Sequence, residues 1–288
     1  MNFETRFAAY KQRLETYMEA LPIAGAPDIL RESMRYSLLS GGKRLRGVLC
    51  MASCEAAGGA AEEALPFAAA LEMIHAYSLI HDDLPAMDND TLRRGKPTSH
   101  VVYGEAVAIL AGDALLTHAF ELMSVQTHPH AFRAMGEIAR AAGVSGMLCG
   151  QTLDVTLEGQ KPSREAVRYI HLHKTADLLT APITAGLLLA DASPEQIAAG
   201  ERYGQNLGLC FQIVDDLLDL RGDEAKLGKQ THTDAELGKM TWPAVNGIEA
   251  SEQAARDAAA AAIRALDIFG NQAEPLRRMA ADLLTREF

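Results

Sequence analysis

A chain of 288 residues is long enough to bury one sizeable hydrophobic core or two modest ones. It is 48% hydrophobic with only 6% aromatics and is rich in Ala and Leu, which favours helix over strand. A net charge of −11 argues against nucleic acid or an anionic membrane surface as a general partner, so an anionic ligand must be met by a local basic patch.

Residues 2–21 carry Phe3, Phe7, Tyr10 and Leu14 at helical spacing. The break at 22–27 ends in Pro27, which suits the first turn of a helix running to about residue 39. Ser40-Gly41-Gly42 stops that helix, because glycine tolerates the left-handed cap. Lys43-Arg44-Leu45-Arg46 follows. Two glycines beside three cations can gather N–H groups and side chains on a phosphate, although a solvated basic turn has the same composition. Residues 65–81, LPFAAALEMIHAYSLIH, predict a long apolar helix; a lone histidine such as His75 on it is more often structural than a ligand.

That helix leads into HDDLPAMDNDTLRRGKPT at 81–98, where Asp82, Asp83 and Asp88 stand just ahead of Arg93 and Arg94. Carboxylates only accept and guanidinium groups only donate. Both signs packed this densely suit a highly anionic ligand that arrives with metal. Mg²⁺ takes oxygen ligands and is usually held by one or two carboxylates plus substrate phosphates, and Arg offers a planar fork to phosphate oxygens. Asp82 and Asp88 are six apart, about 120° from each other on an ideal helix. Pro85 between them cannot continue the helical hydrogen bonding, so the helix is expected to kink or end there and let Asp88 return towards Asp82. Lys96-Pro97-Thr98 reads as a closing turn.

Helical patterns resume at 104–125 and 130–142. Gly112 and Asp113 in the first read as close packing or a buried polar contact, and His128 and His130 as a polar loop. In GQTLDVTLE, at 150–158, Gln151 and Asp154 share a helical face. Ser163 reads as an N-cap; beyond it His171 and His173 are two apart, hence on different faces, and do not form a metal site. An apolar helix at 176–190 contains Pro182, an expected kink. Ser193-Pro194-Glu195-Gln196 is a capping box. The helix it opens carries FQIVDDLLD, in which Asp215 and Asp219, four apart, share a face beside Asp216. Residues 221–240 turn polar and Gly-rich, a surface loop by composition, with Lys229 and Lys239 each directly after glycine. Residues 241–288 read as two or three Ala-rich helices interrupted near Gly270 and Pro275.

No strand-like alternation persists, and no linker divides the chain. The expected fold is all-α: a single-domain helical bundle over 1–288, with two acidic helix ends facing across a central cavity. Cys50, Cys54, Cys149 and Cys210 sit in apolar contexts without metal-knuckle spacing and are expected as buried thiols in a reducing compartment. The N-terminus mixes charges and lacks a secretory apolar core, and no apolar stretch reads as long and uninterrupted enough to cross a bilayer. A cytoplasmic location is the expectation.

The DDxxxxD and RRGKPT block, the later DDxxD and GGKRLR at 41–46 resemble the short-chain trans-isoprenyl diphosphate synthases, nearest to bacterial-type farnesyl diphosphate synthases, in the family's order and over nearly the whole chain. The resemblance implies the isoprenoid-synthase bundle, a homodimer, and a prenyltransferase that condenses isopentenyl diphosphate with dimethylallyl and geranyl diphosphate. It implies Mg²⁺, expected as three ions bound with the diphosphate. Asp82, Asp88 and Asp215 would hold the metal, with Asp83, Asp216 and Asp219 as supporting candidates. Arg93, Lys174, Lys229 and Lys239 would serve the allylic diphosphate, and Thr175 and Gln212 the developing cation. Gly42, Lys43, Arg46, His75 and Arg94 would serve isopentenyl diphosphate. Gly47 stands where the family usually has proline and is expected to loosen the loop without loss of charge. Tyr77, with small Ser78 beside it, lies about 7.5 Å up the helix from Asp82 and is expected to form the floor that sets a fifteen-carbon product. A smaller residue there goes with twenty carbons, so geranylgeranyl diphosphate synthase is the nearest rival. A terpene cyclase would carry an Asn/Ser/Glu metal motif downstream. A regulatory subunit would have lost some of these aspartates or lysines, and a metal-storage bundle would need Glu-x-x-His pairs.

Overall fold

The computed structural model describes residues 3–221 and 239–285. Its regular structure is almost all helix, as composition predicts. The helices are α1 (Phe3–Ala20), α2 (Asp28–Leu38), α3 (Leu45–Ala56), α4 (Ala61–Asp82), α5 (Ser99–Tyr103), α6 (Glu105–Ser124), α7 (Ala131–Ala142), α8 (Met147–Thr156), α9 (Arg164–Ile170), α10 (Asp177–Leu189) and α11 (Pro194–Arg221). After the segment outside the described residues come α12 (Trp242–Asn246), α13 (Ile248–Ala265) and α14 (Glu274–Leu284). A π-helical turn, His171–Ala176, joins α9 to α10, and a 3₁₀ turn, Asp267–Ala273, precedes α14.

A helix that is apolar all round belongs inside a bundle. Every residue of α10 from Leu178 to Leu189 is buried, and it packs against α3, α7 and α11. Pro182 lies within that helix, which continues through it. The second central helix, α4, is flanked by α3 and α6. It starts four residues before the apolar run suggests, so Pro66 sits inside its second turn. One hydrophobic cluster extends from Tyr10, Leu14 and Met18 of α1 to Leu283 of α14. The caps read from the sequence are present: Ser163 Oγ accepts from the Ala166 N–H (3.1 Å). In the capping box, the Ser193 N–H donates to Gln196 Oε1 and the Gln196 N–H to Ser193 Oγ. Gly270, at φ 56°, breaks the C-terminal helices; Pro275 falls in the first turn of α14.

Several expectations are corrected. Among the described residues there is one sheet, a hairpin of β1 (Leu92–Arg93) and β2 (Lys96–Pro97). The turn is therefore Arg94-Gly95, both at positive φ (54° and 72°), as a two-residue hairpin loop requires, and not Lys96–Thr98. By length and composition α6 is long and apolar enough to cross a membrane, yet only 33% of that window is buried. Its charges, Glu105, Asp113 and Glu121, lie eight residues apart and leave long apolar intervals. Gly112 is close packing: a Cβ there would collide with the His81 ring. Asp113 is exposed rather than buried, 3.9 Å from His81 Nε2. Cys149 is half-buried, unlike the other three cysteines.

Candidate active site

One cavity of about 1280 Å³ opens between α3, α4, α8, the π-turn and α11. On α4 its wall is the stripe Glu72, His75, Leu79 and Asp82, residues three or four apart and therefore on one helix face. The helix ends at Asp82. The chain turns under Pro85, and the Asp88 N–H donates to the Asp82 carbonyl (2.9 Å). Asp82 and Asp88 consequently line the cavity together. Gln151 Nε2 donates to Asp82 Oδ1 (3.0 Å). Burial pushes the Asp82 carboxyl up to about 6; Lys174 opposes that rise and Asp88 adds to it. Asp83 is absent from the lining. It is buried and bound to Arg93, whose Nε donates to its Oδ1 (2.6 Å), so it holds Arg93 rather than facing the acidic pair.

The hairpin turn carries Arg94 to the glycines of the first basic block, where its Nη1 donates to the Gly41 carbonyl. Gly42, at φ 109°, leaves the room this needs: a Cβ there would lie 2.5 Å from the Arg94 guanidinium. Arg44 adopts φ 53° as the N-cap of α3 and is buried, its Nε donating to Glu15 Oε1 (3.3 Å). Lys43 and Arg46 on either side of it line the cavity. Arg46 Nε and His75 Nδ1 are buried in this wall without a partner. Orphaned buried polar atoms cost about 1–3 kcal/mol each, and an anion seated here would satisfy the Arg46 N–H. Burial first, then Arg46, Arg94, Arg93 and Arg44, hold His75 well below the usual imidazole range. The folded chain therefore takes up this proton less readily than the unfolded chain. The contribution is complete above about pH 6.5 and is lost as pH falls towards the folded value. Proton NMR of the ligand-free protein is expected to show one histidine that stays neutral well below pH 6.5, and the His75→Gln variant to lack it.

Glu72 belongs to none of the sequence motifs, although a carboxylate one turn before His75 on an apolar stripe demands a partner. It accepts from the Gly47 N–H (3.0 Å) and stands 3.8 Å from Arg44 Nη1. Gly47 therefore does not loosen the loop. It is buried in the first turn of α3 against Leu14, and proline would have no N–H to give Glu72. Gly47→Ala, which drives a Cβ into Leu14, is expected to destabilise the fold by about 1–3 kcal/mol in urea titrations.

The opposite wall brings Asp154, Lys174, Thr175, Gln212, Asp215, Asp216 and Lys239 to the same cavity. Lys174 Nζ donates to buried Asp154 Oδ2 (2.5 Å), Thr175 Oγ1 to Gln212 Oε1 (2.7 Å), and Lys239 Nζ to Asp88 Oδ1 (3.0 Å). Gln151 and Asp154, read as one face of α8, thus engage Asp82 and Lys174. Asp216 accepts from Gln212 Nε2 on Oδ1 and from the Trp242 N–H on Oδ2, which also lies 3.2 Å from His171 Nε2. Asp219 does not share the cavity face of Asp215: it is buried one turn on, with Oδ2 unpartnered, and outside the lining. Tyr77 and Ser78 are likewise outside the lining; the Tyr77 ring is 5% exposed and sits edge-on to His81 at 5.6 Å. Lys229 lies outside the described residues.

Residues 27–272 match the family described as Polyprenyl synthetase. A geranylgeranyl diphosphate synthase of Cyanophora paradoxa is 46% identical over 94% of this chain and 92% of its own length. Among solved structures, an FPP/GFPP synthase from Zymomonas mobilis superposes with a TM-score of 0.88 at 35% identity, covering 98% of this chain and 99% of that one. A geranyltransferase from Helicobacter pylori, complexed with magnesium and isoprenyl diphosphate, does so at 0.86 and 31% identity, covering 99% and 97%. Motifs, fold and relatives agree: the chain belongs to the polyprenyl synthetase family, among its short-chain trans-isoprenyl diphosphate synthases, and is a trans-prenyltransferase.

Proposed function

We propose that the chain condenses isopentenyl diphosphate with dimethylallyl and then geranyl diphosphate, and releases farnesyl diphosphate. The carrying observation is one cavity with an acidic pair, Asp82 and Asp88, on one wall, Asp215 on the other, and cations on both. Among the described residues no three His, Cys, Asp or Glu side chains converge on one point. Separated carboxylates fit Mg²⁺ completed by diphosphate oxygens, and Asp82, Asp88 and Asp215 are the residues that would hold it. Bound Mg²⁺ supplies Lewis-acid neutralisation of the departing diphosphate. Lys174 and Lys239 add charge-assisted hydrogen bonds to the same group, while Lys43, Arg46 and His75 orient the second substrate. The oxygens of Thr175 and Gln212 face a developing cation with dipoles that do not trap it.

The product stops at fifteen carbons, in this reading, because Tyr77 fills the space a longer tail would need. Its buried ring lies about 7.5 Å along α4 from Asp82, edge-on to the His81 ring one turn further along the same helix. The specific observation for a twenty-carbon product is the name of the Cyanophora relative. Chromatography of products from labelled isopentenyl diphosphate, geranyl diphosphate and Mg²⁺ decides between them. Wild type is expected to give mainly C15 and Tyr77→Ala mainly C20 or longer. A C20 wild-type product, or an unchanged Tyr77→Ala distribution, contradicts the floor.

A second copy of the chain covers the exposed apolar face of α5 and α6 (Val101, Val102, Ile109 and Leu110) in this reading. Sedimentation is expected to give a dimer for wild type and monomer for Leu110→Asp. A wild-type monomer, or one that floats with lipid vesicles, contradicts it.

A further inference from the structure

We infer that His171 is a positioning residue: it holds the π-turn that carries Lys174 and Thr175 in register with the acidic end of α11. The inference rests on the assignment of Lys174 and Thr175 to the allylic half of the reaction.

A π-helical turn is rare and frequently marks a functional site. This one is fixed from two sides by backbone. A Cβ at Gly150 of α8 would collide with the Lys174 backbone, and one at Gly208 of α11 with Ala176. Those contacts set how close the turn lies to α8 and α11. The side chains add specific partners on α11. The His171 ring is 3% exposed, and its Nε2 stands 3.2 Å from Asp216 Oδ2. Its Nδ1 meets no partner, so Nε2 is the ring nitrogen with an acceptor in reach. Its ring face stacks on the Trp242 indole at 5.6 Å and 21°.

Asp216 holds the same turn a second time. Its Oδ1 accepts from Gln212 Nε2 (3.0 Å), and Gln212 Oε1 accepts from Thr175 Oγ1 (2.7 Å). His171 and Thr175, four residues apart on the turn, are both tied to one carboxylate, the first directly and the second through Gln212. The Trp242 N–H on Asp216 Oδ2 (2.7 Å) joins residues 239–242 to this hub, and Lys239 at their start reaches Asp88. Lys174 lies between the two ties, and Asp215, next to the hub, lines the cavity. Removing the imidazole frees one end of the clamp. Lys174 and Thr175 can then shift against Asp215, and a misplacement of about 1 Å can cost up to about 10²-fold in rate. Lys43, Arg46 and His75 belong to the other wall and are untouched.

The test is steady-state kinetics of His171→Phe, which keeps the stacking ring, and His171→Gln, which restores an N–H donor, with thermal unfolding of both. His171→Phe is expected to lose at least about tenfold in kcat and to raise the Mg²⁺ concentration for half-activity, with KM for isopentenyl diphosphate within twofold of wild type. His171→Gln is expected to recover most of the loss. A His171→Phe enzyme with wild-type kcat and Mg²⁺ dependence overturns the inference. So does a folded His171→Gln enzyme no better than His171→Phe, or a rise in both KM values that follows unfolding alone. If His171→Phe does not fold, His171→Gln decides: near-wild-type kinetics support the contact, a tenfold loss in kcat or failure to fold contradicts it. Lys174→Ala in the same assay separates the two levels. An unimpaired Lys174→Ala enzyme refutes the allylic assignment itself; an impaired one beside normal His171 variants refutes only the clamp.

Discussion

Asp82→Ala is expected to lower kcat by about 10²–10³-fold while the fold survives. The carboxylate sits at the end of α4, on the cavity, with Asp88 returned beside it by the turn at Pro85. Two polar neighbours are already engaged: Asp83 accepts from Arg93, and Gln151 Nε2 donates to Asp82 itself. Burial pushes the Asp82 carboxyl up to about 6 even with Lys174 opposing the rise, so its removal relieves a poorly solvated charge. The prediction therefore pairs lost turnover with equal or slightly greater thermal stability of the metal-free protein. Single-turnover kinetics with geranyl diphosphate and calorimetry measure the two halves. A folded variant with near-wild-type turnover would exclude Asp82 from the chemistry.

Lys174→Ala is expected to cost both activity and stability, for separable reasons. Its ammonium is on the cavity and is bonded to Asp154, whose side chain is only 7% exposed. Deleting the lysine strands that carboxylate, which costs about 1–3 kcal/mol, towards the lower end because Lys174 itself is a quarter solvated. Activity falls by about 10²-fold through loss of a charge-assisted contact to the leaving diphosphate. Adding Asp154→Ala is expected to restore most of the stability and none of the turnover. Recovery of turnover in the double variant would mean that Lys174 acts only as the counterion of Asp154.

Much of this arrangement is legible in residue order, because period and breaker residues are local physics. Pro85 stops α4 wherever the rest of the chain goes, and the capping box at Ser193–Gln196 starts α11 with the hydrogen bonds its spacing requires. What residue order leaves hidden depends on neighbours distant in the chain. Asp219 shares a helical face with Asp215, but the bundle covers that turn. Asp83 and Asp82 look equivalent until the hairpin brings Arg93 back onto one of them. Gly47 reads as a weakness where proline is usual, yet its N–H serves Glu72, twenty-five residues on. The hairpin escapes a periodicity reading because two-residue strands have no period to detect, and of the loop pair only Gly95 is a residue that favours positive φ. The apolar run of α6 is masked by the scattered charges that interrupt it, while its exposed face is what a second chain would cover.

In the proposed reaction the acidic ends of α4 and α11 act on one diphosphate as a single unit. A kinetic double-mutant cycle measures this directly, with kcat determined for wild type, Asp82→Ala, Asp215→Ala and the double variant at saturating Mg²⁺. Groups that serve one leaving group are expected to be strongly non-additive, so the double variant should be about as slow as the slower single one. Losses that multiply would show that the two carboxylates work independently and would contradict their action on a shared diphosphate.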